Sequence, residues 1–317
     1  MVNIMMEIRP YSSKDAETVC RLWNDSLVHD QINIDNFYQK VIYDVNFDPG
    51  KLLVAEQDGK ALGFVYATMR RFPDEVAGLQ ADQAWIVAFG VEPSARRKGA
   101  GRILLSSIEE KLCKEGAKKI DVGPYPNNYF SPGIDKNAYS SGVDFFLAHG
   151  YLKTSECCAM HLNLRGYETP PKYVEKKKAL EAEGYRFKAY EAADALSLFA
   201  FAKEHFPYWL SNLRTSILAG RAGETLIVAQ EASGATAGFV MRNMDGSHER
   251  FGPFATRPSL QGKGIGTVLF HEMMKNMVRE RIFYTYFLWT SGRNLDIYAT
   301  WDMSIFRTFS MISRTLP

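Results

Sequence analysis

One pattern of segments occurs twice in this chain, and a repeat of that length dictates two copies of a single folding unit. Lys51-Leu-Leu-Val-Ala-Glu-Gln-Asp-Gly59 leads into Ala61-Leu-Gly-Phe-Val65, and Thr225-Leu-Ile-Val-Ala-Gln-Glu231 leads into Thr236-Ala-Gly-Phe-Val240. Both read as two short strands joined by a Gly-containing turn, rich in apolar and β-branched residues. Each hairpin leads to a further apolar strand and then a glycine-rich turn. In the first copy this is Phe89-Gly-Val-Glu-Pro-Ser-Ala-Arg-Arg-Lys-Gly-Ala-Gly101, in the second Phe254-Ala-Thr-Arg-Pro-Ser-Leu-Gln-Gly-Lys-Gly-Ile-Gly266. Amphipathic helices follow, over about Arg102–Glu115 and Thr267–Arg281, with apolar residues at helical spacing.

The flanks repeat as well. Helical segments precede the hairpins at Asp15–Leu27 and Asp35–Tyr43, then at Ala192–His205 and Tyr208–Ala219. A strand follows each long helix, at Lys119–Gly123 and Phe283–Thr290, and a last helix and strand close each half. The fold class expected is α/β: two tandem units, each a mixed, mostly antiparallel sheet flanked by helices. With 317 residues there is room for two cores. The expected domains are 1–165 and 185–317. The linker 166–184 contains the turn-prone Gly166-Tyr-Glu-Thr-Pro-Pro-Lys172 and a charged helix over Tyr173–Glu183.

Charge and cysteine content exclude several classes. Lys plus Arg number 38 against 36 for Asp plus Glu, a formal charge of +2, which gives no electrostatic case for nucleic acid or an anionic membrane. The run Glu175-Lys-Lys-Lys178 reads as a solvated helix face. Cys20, Cys113, Cys157 and Cys158 form no CxxC pair or Cys/His cluster, so no metal site is expected. The opening MVNIMMEIRP lacks the plan of a secretory leader, and no stretch approaches the ~20 apolar residues of a membrane span. A reduced, cytoplasmic setting is expected.

A strand, a tight Gly-rich turn and a helix make an anion site, because glycine lets successive N–H groups converge and the helix N-terminus adds unpaired donors. Neither copy is a P-loop or a GxGxxG fingerprint. What stands here is Arg96-x-x-Gly99-x-Gly101 and Gln261-x-x-Gly264-x-Gly266, with Val91-Glu-Pro93 and Thr256-Arg-Pro258 as lead-ins. This resembles the (Gln/Arg)-x-x-Gly-x-(Gly/Ala) motif of the GCN5-related N-acetyltransferases (GNATs), over about residues 6–164 and 185–316.

The resemblance implies acetyl-CoA as cofactor and a small-molecule primary amine as acceptor. Residues Arg96, Arg97, Lys98, Gly99, Ala100 and Gly101, and Gln261, Gly262, Lys263, Gly264, Ile265 and Gly266, would hold the pyrophosphate. Strand residues Phe89 and Val91, and Phe254, Ala255 and Thr256, would flank the pantetheine arm, and Asn294 matches an asparagine that often contacts the cofactor. Tyr298 falls on the family's tyrosine acid, whereas Phe146 stands there in the first copy and cannot donate a proton unless Tyr129 or Tyr139 substitutes. Chemistry is therefore expected in the second copy, with the first binding coenzyme A without turnover. Glu249, beside His248 and matched by Asp82, is the candidate base. His205, Tyr208 and Trp209 are candidates for the acceptor pocket, and His29 holds the matching place in the first copy.

The first copy alone carries the insertion Pro124-Tyr-Pro-Asn-Asn-Tyr-Phe-Ser-Pro-Gly-Ile-Asp135, which reads as an ordered loop. A non-catalytic acyl-CoA sensor and activity in the first copy through that loop are the rival readings. By analogy with single-copy family dimers, a monomer is expected.

Overall fold

The structure, a computed structural model, describes residues 6–316; Met1–Met5, half of the stretch read above for a leader, and Pro317 lie outside the described residues. Contacts divide the chain into one unit of Met1–Cys158 with Arg307–Pro317 and another of Ala159–Phe306. That differs from the expected division in two places. The last residues join the first unit, because the chain's final strand, Ser304–Thr315, pairs there: Ile312 lies opposite Val122 and Thr315 opposite Lys119. The stretch 166–184 is no free linker either, since its helix packs into the second unit (below).

In the first unit, β1 (Glu7–Pro10), β2 (Leu52–Gln57), β3 (Lys60–Met69) and β4 (Gln83–Val91) form an antiparallel run in that order. Next comes β5 (Lys119–Val122), parallel to β4, then the final strand, with β6 (Ile134–Asp135) and β7 (Leu152–Asn163) beside it. Sequence explains the depth of the central strands. Leu52-Leu-Val-Ala55 is a continuous apolar run, the signature of a strand covered on both faces, and all four residues are buried. One cover is α1 (Ala16–Ser26) with the short α2 (Ile34–Phe37); Val19, Leu22 and Trp23 recur at helical spacing and pack on Phe64, Tyr66 and Trp85. The other is α3 (Ala100–Lys114) with α4 (Ser140–Ala148), through Leu104, Leu105, Ile108 and Phe146.

The second unit opens with the end of β7 and α5 (Pro171–Ala182), then β8 (Arg186–Ala189), α6 (Ala195–His205), α7 (Leu210–Leu218) and α8 (Ala222–Thr225). β9 (Leu226–Gln230), β10 (Thr236–Arg242) and β11 (Phe251–Thr256) follow, giving an antiparallel sheet in the order β11-β10-β9-β8. α9 (Ile265–Arg279), β12 (Tyr284–Thr290) and α10 (Arg293–Ala299) complete it. α9 is buried on more of its circumference than α3, because α5 lies against it. Tyr173 of α5 stacks on His271 (centroids 3.9 Å apart), the Tyr167 hydroxyl and His271 Nδ1 share a hydrogen bond of 2.6 Å, and Lys177 pairs with Glu272 at 3.0 Å. α6 and α7 cover the opposite face through Leu198, Phe201, Leu210 and Leu213. No helix among the described residues is long and apolar enough to cross a membrane.

Candidate active site

In each unit two neighbouring parallel strands begin together and then part. β4 and β5 keep register only from Gln83–Lys119 to Ile86–Val122. Gly123 N still donates to Ile86 O at 2.9 Å, after which its left-handed φ of 106° turns the chain into the 124–135 loop. On its other edge β4 slips: Tyr66 faces Ala88 while Ala67 faces Ile86, which leaves Val87 in a bulge. On its β5 side, then, β4 presents from Val87 to Val91 a row of backbone N–H and C=O groups with no strand paired to them among the described residues. An extended ligand arm can add itself to such an edge as a strand would.

The glycine-rich turn lies at the far end of that edge. Pro93–Ala95 make a short 3-10 turn, Arg97 and Gly99 take left-handed φ values of 63° and 93°, and α3 starts at Ala100. Arg96 Nε ties the turn back to Val91 O at 3.0 Å. Arg96, Arg97, Lys98 and Gly99 are all exposed, and a Cβ added at Gly99 would meet nothing within 4 Å. Unpaired donors, a helix N-terminus and three cationic side chains therefore face an open cradle suited to a diphosphate.

On the α1 face beside the bulge sits a buried polar cluster that the sequence reading did not single out. Tyr125, the third residue past β5's end, donates its hydroxyl to Asp44 Oδ1 at 2.8 Å and accepts from Asn46 Nδ2 at 2.8 Å. Asn128 donates to the other Asp44 oxygen, and Asn46 Oδ1 accepts the amides of Arg71 (2.7 Å) and Phe72 (3.1 Å). Asp44, Asn46 and Tyr125 are 7%, 1% and 0% exposed, so water is not their partner. Burial, and after it the Asp44 charge, pushes the Tyr66 phenol well above its ordinary range, as it does Tyr125. The usable signal was alternation: Tyr66, Thr68 and Arg70 sit at every second position of an otherwise apolar strand, on one face.

The second unit repeats the plan with four differences. β11 touches β12 only at its start, where Arg250 bridges Tyr286 and Tyr286 N donates to Glu249 O at 3.2 Å. The register of β10 with β11 shifts between Val240–Phe254 and Arg242–Phe251, so Gly252 and Pro253 lie in the irregularity, and Pro253 has no N–H to offer. The stem of Lys176 from α5 lies across the glycine turn: a Cβ at Gly264, whose φ is 95°, would come within 2.4 Å of Lys176 Cε. Lastly, Tyr298 sits in an aromatic cluster, 4.6 Å from Phe287, 5.6 Å from Trp301 and 6.4 Å from both Phe251 and Phe254, ring centroid to ring centroid. Burial raises its phenol above the ordinary value.

The remaining sequence candidates are scattered. Glu249 and Asp82 are exposed, and their carbonyls, rather than their carboxylates, are engaged: Glu249 O by Tyr286 N, Asp82 O by Lys118 N and Lys119 N. Asn294 is exposed on the first turn of α10. His205 lines an open cavity of about 600 Å³ with Ser197, Phe201, Thr236 and Arg257. Tyr208 is 77% exposed, and Trp209 packs on Phe206 and Phe239. These three lie with the α6 face of the sheet, whereas Tyr298 packs on the α9 face, and Glu249 precedes the end of β11 that pairs with the far end of β10. The structure does not bring His205 and Glu249 together. In the first unit Phe146 is a 3% exposed core residue, and the Tyr139 hydroxyl is taken up by Asp30 (2.8 Å) and the His29 amide (3.0 Å).

Comparison with known proteins adds the following. The acetyltransferase (GNAT) family model matches residues 15–131. The L-2,4-diaminobutyric acid acetyltransferase of Nocardia farcinica is 31% identical over 115 residues, covering 36% of this chain and 53% of that protein, so the chain spans about half that relative's length. An acetyltransferase of Pectobacterium atrosepticum is 30% identical over 117 residues, covering 37% of this chain and 74% of the relative. Among solved structures, the GCN5-related glucosamine N-acetyltransferase region of a fungal multi-domain β-N-acetylglucosaminidase aligns with a TM-score of 0.83 at 18% identity, over 99% of this chain and 38% of that one. A tandem GNAT protein from the clavulanic acid biosynthesis pathway aligns with a TM-score of 0.66 at 15% identity, over 98% of each chain.

Proposed function

The chain belongs to the GNAT family of acetyltransferases, and from that premise we propose that its first unit transfers an acetyl group to the primary amine of a small molecule. The observation that carries this reading is the free β4 edge from Val87 to Val91 ending at an open glycine turn, in the unit matched by the family model. Those residues fit acetyl-CoA, which supplies an acetyl group activated as a thioester. The Val87–Val91 edge would pair with the pantetheine arm, and the amides and cations of Arg97–Gly101 would hold the pyrophosphate. N–H groups at the bulge would polarise the acetyl carbonyl. The amine nitrogen bonds to the acetyl carbon as the carbon–sulfur bond breaks, the thiolate takes up a proton, and the amine loses one.

The sequence expectation favoured the second copy because only it has a tyrosine in the motif register. Two physical arguments reverse that preference. A thiolate is a weakly basic leaving group, so the loss of a general acid, typically 10²–10⁴-fold, slows transfer without preventing it. An interrupted strand edge at Pro253 and a lysine stem across Gly264 act earlier, at cofactor binding. Names among the relatives support a small acceptor: one is a diaminobutyric acid acetyltransferase, another a glucosamine N-acetyltransferase region.

The test is calorimetric titration of acetyl-CoA into the wild type and into Gly99→Trp and Gly264→Trp variants, followed by turnover on a panel of amines. Loss of binding and turnover with Gly99→Trp, and retention of both with Gly264→Trp, is the expected result. The reverse pattern returns the chemistry to the second unit, and no binding in the wild type removes the transferase reading.

A further inference from the structure

Two buried donors on the α1 face of the first unit have no partner. The Tyr66 hydroxyl is fully buried and has no hydrogen-bond partner among the described residues, and Tyr66 stands opposite Ala88 at the β4 bulge. Arg70 lies on the same strand face four residues on; its side chain is 3% exposed and its Nε–H is unsatisfied. Nη1 reaches only the Gly78 carbonyl at 3.3 Å, and the nearest carboxylate, Asp74, is 4.0 Å from Nη2. A buried donor left unpaired is costly, and more so on a charged group, so an unpaired guanidinium Nε–H in a core asks for an explanation.

Arg70 cannot lose its proton to escape that cost, and it offers donors only. Its Nε–Nη2 edge is the geometry that takes a carboxylate in two parallel hydrogen bonds. Arg70 lies over Trp85 (5.8 Å to the ring) and Tyr125 packs on Trp85 at 5.4 Å, so the guanidinium and the polar cluster share one aromatic neighbour. An anion belongs to the same cluster, because Asp44 Oδ1 accepts from the Tyr125 hydroxyl at 2.8 Å. Arg70 and Asp44 thus bring both signs of charge to the residues around Trp85 and Tyr125, a pair complementary to a zwitterion.

We infer that Arg70 and the cluster around Tyr125 form the acceptor's recognition site, and that the acceptor is an amino acid bound through its carboxylate rather than a bare amine or an amino sugar. This rests on transfer occurring in the first unit. The carboxylate bridges Arg70 Nε and Nη2, Asp44 draws the ammonium side inward, and Tyr66 donates to the acceptor near the attacking nitrogen.

The experiment compares L-ornithine and L-lysine with their decarboxylated counterparts, 1,4-diaminobutane and 1,5-diaminopentane, and with an amino sugar. Binding is read by calorimetry on the coenzyme A complex, and kcat and KM are read separately. The wild type is expected to favour the amino acids at least about 100-fold over the diamines. Arg70→Met should erase that ratio through KM with kcat kept, and Arg70→Lys should restore part of it. Tyr66→Phe should lower kcat for every amine while leaving the ratio. Equal binding of ornithine and diaminobutane by the wild type, or a ratio unchanged in a folded Arg70→Met protein, overturns the inference. Ornithine held through Arg70 without turnover of any amine would instead overturn the transfer reading and leave the carboxylate site standing.

Discussion

Tyr125→Phe isolates what the buried network contributes, because the ring stays packed on Trp85 and only one oxygen leaves. That oxygen donates to Asp44 Oδ1 and accepts from Asn46 Nδ2, each at 2.8 Å. Asp44 keeps the Asn46 amide (2.7 Å) and Asn128, so its charge is weakened in support but not abandoned. Asn46 Nδ2 loses its acceptor, and at 1% exposure no water replaces it. A hydrogen bond to a charged group contributes about 1.5–3 kcal/mol and an orphaned buried donor costs about 1–3 kcal/mol. Because the two share one atom they do not add, and a loss of about 2–4 kcal/mol is expected. With a urea slope of about 2 kcal/mol/M, the unfolding midpoint of this unit should fall by about 1–2 M. The assay is urea titration followed by hydrogen exchange on peptides covering residues 40–72 and 119–135, which reports this unit separately. A midpoint shift under about 0.3 M with unchanged exchange would refute the view that these bonds hold the 124–135 loop to the sheet.

Arg307 bonds both Asp30 oxygens at 2.7 Å and Asp135 at 2.6 Å from the chain's last strand, so Arg307→Met leaves two carboxylates half-buried or buried without their cation; unfolding should become easier by about 3–5 kcal/mol, read as a fall in melting temperature. Burial alone would raise Asp135, but Arg307 and the amides of Ala138 and Asn137 hold it below its ordinary value, so its contribution is present at neutral pH and fades as pH falls below the usual carboxylate range. His271 is buried and shifted down from 6.5 to about 4, first by desolvation and then by Lys172. Its folded form favours the neutral ring, so that stability is full above pH 6.5 and is lost between 6.5 and about 4; α5 should show faster hydrogen exchange in that window, and His271→Leu should remove the pH dependence. Tyr298→Phe should leave kcat within a factor of two and stability within about 0.5 kcal/mol, since its ring packs in an aromatic cluster that phenylalanine keeps. A tenfold fall in kcat would put the proton donor, and the chemistry, in the second unit.

The parts of this fold that could be read from sequence are those set by short-range pattern. Hairpins such as 51–65 and 225–240 announce themselves by apolar runs around a turn, and the two glycine turns by spacing alone. The final strand could not be assigned to its unit that way. An alternating strand has many possible edges, and the partners that select this one, Asp30 and Asp135, lie up to 277 residues from Arg307. α5 misled for a related reason: Lys176, Lys177 and Lys178 dominate its composition, while Tyr173 and Leu180, the residues that dock it, are thinly spread. The candidate site divides along the same line. Motif register identified Tyr298, but it says nothing about whether the neighbouring backbone edge is free, and that depends on where two strands part, on Pro253, and on a lysine stem from an element read as a linker. A nucleophile's or acid's identity is a local property of sequence. Access of an extended cofactor to a strand edge is a property of the whole sheet, and on the function proposed above it favours the copy that lacks the tyrosine.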